Sequence, residues 1–248
     1  MPRVFFGPYG TQFNSHSSQQ FASGAVLELP DHRLYRYALA TAAARVAGKV
    51  YQAALPISTS TQLVVSTTPV AGDTTLAATH GAATLVVDFF SEGMVHTNKA
   101  TGLDYGFRIR RAIEAGQAHA AVASSGVVTV NLEPGETVQV AGVSTTEITL
   151  TENRFRNTLI HDSPPTARLT GVANWAATAS QYYYEQTQGP AAVTASGTLV
   201  IGDLCVPSAT TDGTAMPSAA LETDGPIIGI VAHVNITAET ALIDLQLE

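Results

Sequence analysis

Thr240-Ala-Leu-Ile-Asp-Leu-Gln-Leu-Glu248 is the stretch that decides the fold. Ala241, Ile243, Leu245 and Leu247 alternate with Leu242, Asp244, Gln246 and Glu248. Successive side chains of a strand point to opposite faces, so one face of this segment is apolar and the other mostly polar. The same period-two pattern recurs in short runs: Gln62–Ser66, Thr84–Asp88, Gly93–Thr97, Tyr105–Ile109, Val127–Leu132, Thr137–Val140 and Glu147–Leu150. It continues in Arg168–Gly171, Gln181–Thr187, Ala192–Ala195, Thr198–Ile201 and Ile227–Ala232. Turn residues fence these runs at intervals of roughly 8–12 residues, the signature of a sandwich or barrel rather than of βαβ units. The expected fold is all-β, with sandwich or barrel-like domains and a non-regular N-terminal arm.

Composition agrees. Thr alone outnumbers Lys and Arg together, and β-branched residues suit a pleated surface while Gly serves the turns. Two segments compete for helix. Tyr35–Val46 is Ala-rich, yet Arg33, Tyr35, Tyr37 and Leu39 alternate; Arg108–Ala123 is interrupted by Gly116. Each is expected to begin as a strand. Boundaries are expected near Ser58–Thr61 and at His161-Asp-Ser-Pro-Pro165, because residues before Pro avoid the helical region. The resulting division is an extended arm over 1–22, a discontinuous β domain over 23–60 plus 166–248, and an inserted β domain over 63–160.

The 248 residues carry 12 Lys+Arg against 20 Asp+Glu, a net charge of −8, and only 13% are charged. About 25% is usual for soluble domains. Disorder is excluded, since disordered chains combine low hydrophobicity with dense charge. So few cations also leave no basic patch for nucleic acid. A soluble chain this poor in charge is expected to hide surface against other subunits. The single Cys205 allows no internal disulfide and reads as a buried thiol. No apolar run reaches the ~18 residues of a membrane helix, and MPRVFFGPYG has no apolar signal core, so synthesis in a cytoplasm without membrane insertion is expected.

No catalytic or ligand motif stands out. Neither phosphate-cradling glycine pattern is present. The seven His (16, 32, 80, 96, 119, 161 and 233) show no paired metal spacing. Thr211-Asp-Gly213 reads as a turn, and Glu133/Glu136 and Asp203/Asp212 as turn-flanking acids. His161-Asp162-Ser163 cannot relay a proton, because consecutive side chains diverge. Asn235-Ile-Thr237 is a formal glycosylation acceptor, meaningful only on a secreted chain.

The aromatic residues are more informative. Phe5, Phe6, Tyr9, Phe13 and Phe21 lie in a Gly-, Pro- and Ser-rich opening with no periodicity. Such a segment is either a loop over its own core or an arm reaching a neighbouring subunit, where aromatics supply much of the contact energy. Tyr182-Tyr-Tyr184 runs into Gly189-Pro190 as a strand entering a turn, with rings on both faces. The subunit-contact candidates are Phe5, Phe6, Tyr9 and Phe13, with Tyr182 and Tyr184 as further ones. Gly93–Arg110 reads as a hairpin closed by a polar loop containing Gly102.

The last segment also carries a resemblance. Gly93-Met-Val-His-Thr-Asn98, Gly102 and Tyr105-Gly-Phe-Arg-Ile109 resemble a strand, Gly turn and strand that recur in structural proteins of tailed bacteriophages. Val128–Leu132, Glu147–Leu150 and Asn153 extend the likeness, as do Tyr184–Pro190, Gly197-Thr198, Gly202, Pro207-Ser208 and Ile228-Gly229. It runs from about residue 63 to the end, and the opening MPRVFFGPYG fits the same group. The chain thus resembles head-decoration (cement, auxiliary capsid) proteins. That resemblance implies binding to the major capsid protein on the outside of the shell, as a homo-oligomer, with a trimer the expected form. It implies no catalytic residue, and with the motif reading above no cofactor or metal is expected. A tail or receptor-binding β module of the virion is the alternative, and a β-fold polysaccharide hydrolase a more distant one.

Overall fold

The computed structural model describes residues 4–40, 42–99, 105–111, 119–219, 225–234 and 239–248. It is all-β: 40% strand and 3% helix, the latter including 3-10 turns at Thr11–Phe13 and Ser58–Ser60. The chain divides into two compact units, Met1–Leu55 with Arg154–Glu248, and Pro56–Asn153.

Unit 1 opens with β1 (Val4–Phe6), β2 (Val26–Glu28), β3 (Leu34–Leu39) and β4 (Val50–Gln52). Unit 2 follows with β5 (Leu63–Val64), β6 (Thr75–Thr79), β7 (Met94–Lys99), β8 (Gly106–Arg108), β9 (Val127–Asn131) and β10 (Glu147–Thr151). The chain then returns to unit 1 with β11 (Leu159–Ile160), β12 (Leu169–Ala173), β13 (Tyr182–Thr194), β14 (Leu204–Pro207), β15 (Ala215–Pro217), β16 (Gly229–His233) and β17 (Thr240–Gln246).

The alternation in β17 is realised as read: Ala241, Ile243 and Leu245 are buried while Leu242, Asp244 and Gln246 are exposed. β17 pairs antiparallel with β13 on one side and β16 on the other, and this fixes its register. The organising strand is β13, 13 residues long. Its first half pairs with β3 and, through Glu185 and Gln186, with β12; its second half, Gln188–Thr194, pairs with β17. A register shift between Gln186 and Gln188 and Gly189 at φ 82° let one strand serve both neighbourhoods. The Gly-Pro turn expected after Tyr184 is therefore a bend inside a continuous strand.

The sheet order in unit 1 is β1-β2-β3-β13-β17-β16-β14-β15, with β12, β4 and β11 branching from β13. Val50, Leu169 and Val172 from β4 and β12 share a core with Ala191, Val193, Val231, Ile243 and Leu245, so strands face each other in layers. Around β3 and β13 the core is aromatic. Tyr51, Tyr183 and Phe155 pack together, as do Tyr35, Tyr37, Tyr184 and Leu27. Unit 2 holds sheets β5-β10-β7-β8 and β6-β9 over a core of its own that includes Leu76, Phe90, Val95, Phe107, Val130 and Ile148.

Several expectations need correction. Residues 4–6 are a strand, not a free arm: β1 pairs parallel with β2 from Val4↔Val26 to Phe6↔Glu28. Thr84–Asp88 is not a strand, because Asp88 at φ 59° turns the chain and Leu85 makes only an isolated bridge to Val122. Thr137–Val140 and Thr198–Ile201 are likewise irregular, the latter ending in a turn at Gly202 with φ 90°. The Ala-rich continuation of β3 is not helical where described. The unit boundaries fall at Leu55/Pro56 and Asn153/Arg154 rather than at 63 and 160. β11 belongs to unit 1 because it pairs with β4, and His161 beyond it is buried there, its ring nitrogens 2.7 Å from Asp162 O and 3.0 Å from Thr214 O. The His161–Pro165 segment is part of the packed unit, not a linker. The Gly102 loop, residues 112–118 of the helix-like Arg108–Ala123 segment and the Asn235-Ile-Thr237 acceptor lie outside the described residues.

Candidate interaction surface

The N-terminal segment is fastened to unit 1 at several points, and the fastening decides which aromatics remain outside. In β1 the strand alternation turns Phe5 inward and leaves Val4 and Phe6 out. The Phe5 ring stacks on Phe21 at 4.6 Å and meets the edge of Tyr184 at 6.2 Å. Beyond the strand, Gly7 N–H donates to Glu28 O at 3.0 Å, and a Cβ at Gly7 would lie 2.7 Å from Leu27 Cδ1. Gly10 at φ 101° then allows the 3-10 turn, whose Gln12 is buried and accepts from Gly10 N–H through Oε1 at 2.8 Å. At the far end His16 and Tyr182 exchange backbone hydrogen bonds of 2.9 Å each way, and Tyr182 stacks on Tyr37 at 5.4 Å.

Phe6 is consequently 78% exposed, Tyr9 60%, Val4 54% and Phe13 49%. β1 also closes one end of the sheet order, so its outer edge carries backbone groups with no strand partner among the described residues. An exposed apolar edge of this kind is an invitation to pairing unless something covers it.

Of the six contact candidates, Phe6, Tyr9 and Phe13 are available to a partner. Tyr184 is buried within the chain, and Phe5 and Tyr182 are half-buried. Tyr184 is 1% exposed and its ring belongs to the core beside Tyr37, with burial pushing its hydroxyl well above the usual phenol range. Phe5 and Tyr182 pack on that same cluster. Period-two reading inside Val4-Phe5-Phe6 would have separated Phe5 from Phe6, but three residues give too short a run to establish the period.

Other exposed apolar groups were missed from sequence. Val200 and Ile201 crown the turn before β14, and Leu242 occupies the outer face of β17. In unit 2, Val70, Val140 and Val143 are exposed on loops that run side by side, with Gly72 N–H donating to Val138 O and Gly142 N–H to Pro69 O. The signal available was the β-branched pairs flanking Gly and Asp, which fit a strand end as well as an exposed turn.

No family model, curated protein or solved structure matches this chain. Among the described residues no cluster of three or more His, Cys, Asp or Glu is placed to hold a metal ion, and no helix is long and apolar enough to cross a membrane.

Proposed function

We propose that this chain is a virion structural protein, a decoration or cement subunit that binds the major capsid protein on the outer face of the shell and stabilises the DNA-filled head. In this reading it works as a homo-oligomer, has no catalytic role and needs no cofactor. The observation that carries the reading is the stapled N-terminal edge, where Val4 and Phe6 stand exposed on a strand whose outer side has no strand partner among the described residues, and Tyr9 stands exposed in the turn that follows. The resemblance in Gly93–Ile109 and the charge content of 13% support it.

Magnitudes favour assembly in several copies. Fully burying one such side chain contributes about 2 kcal/mol, so these three supply about 6 kcal/mol. Association costs about 4–15 kcal/mol, so one edge alone binds weakly. An oligomer engaging the shell through several edges gains by effective concentration. The mechanism is area burial spread over many weak contacts. A surface with net charge −8 also discourages adhesion between particles and to free nucleic acid.

The test is rebinding of purified protein to heads from which it has been removed. The double variant Phe6→Ser, Tyr9→Ser should keep the parent's thermal transition and lose most of its head binding. Unchanged binding by the folded variant would refute the edge as the contact.

A further inference from the structure

Unit 1 carries an open cleft of about 320 Å³ that is lined by Phe13 but by none of Val4, Phe6 and Tyr9, on which the proposed edge contact rests. Phe13, Arg33, Asn174, Gly48 and Pro190–Ala192 are among the residues that line it. We propose that this cleft is a binding site for a neutral sugar ring, a hexose or hexosamine unit of a glycan.

The polar lining is organised before any ligand arrives. Arg33 Nε donates to Asp31 at 2.8 Å and Nη1 to the Tyr35 hydroxyl at 3.0 Å. Asn174 Nδ2 donates to that hydroxyl at 3.2 Å and also to Gln186 Oε1. Gly189 belongs to the same construction. A Cβ there would stand 2.9 Å from Arg33 Cγ, so only the bare backbone lets the arginine stem lie across β13. A guanidinium has five N–H donors and the bonds to Asp31 and Tyr35 occupy two, leaving a fixed fork of three for ligand oxygens.

The chemistry selects the ligand class. Phe13, half-exposed, offers a ring face whose negative quadrupole attracts the C–H groups of a pyranose. Pro190 and Ala192 add apolar lining. Hydroxyls of the same ring accept from the remaining N–H groups of Arg33. The ion pair to Asp31 already neutralises Arg33, and the chain carries net charge −8, so carboxylates and phosphates are disfavoured. The volume lies at the lower end of the range for small-ligand sites, about 300–1,000 Å³, which suits one ring rather than a long chain.

Saturation-transfer NMR on the full chain decides the matter. The probes are the methyl glycosides of glucose, galactose, mannose and N-acetylglucosamine at millimolar concentration, with sialic acid and inorganic phosphate as anionic comparators. At least one neutral glycoside should show transfer strongest at its ring C–H protons. Phe13→Ala, with an unchanged thermal transition, should weaken that binding about tenfold, equivalent to about 1.4 kcal/mol. Arg33→Lys keeps the stem and charge but loses the fork, and should weaken it comparably. Absence of transfer to all four glycosides, binding undiminished in both folded variants, or a preference for the anions would overturn the proposal.

Discussion

Cys205 lies wholly buried on β14 with Sγ 3.4 Å from Gly229 O, and burial pushes its thiol up to about 12. Thiolate is the reactive form, so a thiol reagent at about pH 8 should leave the native protein unmodified and label it only on unfolding. Stoichiometric labelling of the native chain would contradict the packing of β14 against β16. That inert thiol was legible in the sequence, because Cys205 stands in an apolar run. Glu185 was not. It is fully buried inside a strand that reads as aromatic, beside Tyr183, whose hydroxyl donates to it, and near Arg45, whose guanidinium carbon sits 4.8 Å from the Tyr51 ring centre. Burial raises the Glu185 carboxyl above the usual range, against the hydrogen bonds from Tyr183 and its neighbours and the charge of Arg45. The folded state therefore favours the protonated form. Its contribution is full below the ordinary carboxylate value and is lost as pH rises through the native one. Glu185→Gln imitates the protonated state, so its melting temperature relative to the parent should climb from about pH 4 to about pH 7. A difference independent of pH would contradict the buried carboxyl.

Among elements, β1 separates two neighbouring phenylalanines by role. Phe5→Ala removes a ring stacked on Phe21 and should cost about 2–3 kcal/mol of stability, read from denaturant midpoints. Phe6→Ala removes an exposed ring and should stay within about 0.5 kcal/mol. Equal effects would contradict the alternation in β1. The β16–β17 pair gives a sharper case, since a Cβ at Gly229 would lie 2.1 Å from Asp244 O. Gly229→Ala must push the strands apart and should cost about 3 kcal/mol; a neutral result would contradict the register Gly229↔Leu245. How much of this was readable follows from run length. β17 has seven residues of strict alternation and was read correctly, while β13 is buried on both faces and so shows no alternation over Tyr183–Thr187. Gly189-Pro190 then resembled a stop, although pairing with β17 continues through both residues. Thr84–Asp88 alternates as a strand should, yet a left-handed Asp88 ends it, and no sequence pattern announces that φ.

At the scale of the molecule, the all-β class follows from many short alternating runs, and the presence of an insert follows from the Ser/Thr- and Pro-rich junctions. The insert's limits were misplaced because β11, only two residues long, is claimed by β4 through pairing that sequence patterning does not display. Which of the contact candidates lie exposed was half legible for a similar reason. Aromatic composition marked the N-terminal segment, but only its pairing to β2 and its bridge at His16 decide that Phe6 and Tyr9 face outward while Phe5 does not. What remains is whether the exposed edge meets a capsid. Density-gradient separation of virus particles from the source of this chain, with quantitative mass spectrometry of each fraction, answers that most directly. The account predicts many copies co-migrating with DNA-filled heads, including heads that lack tails. Recovery only with tails, or in no particle fraction, would contradict it.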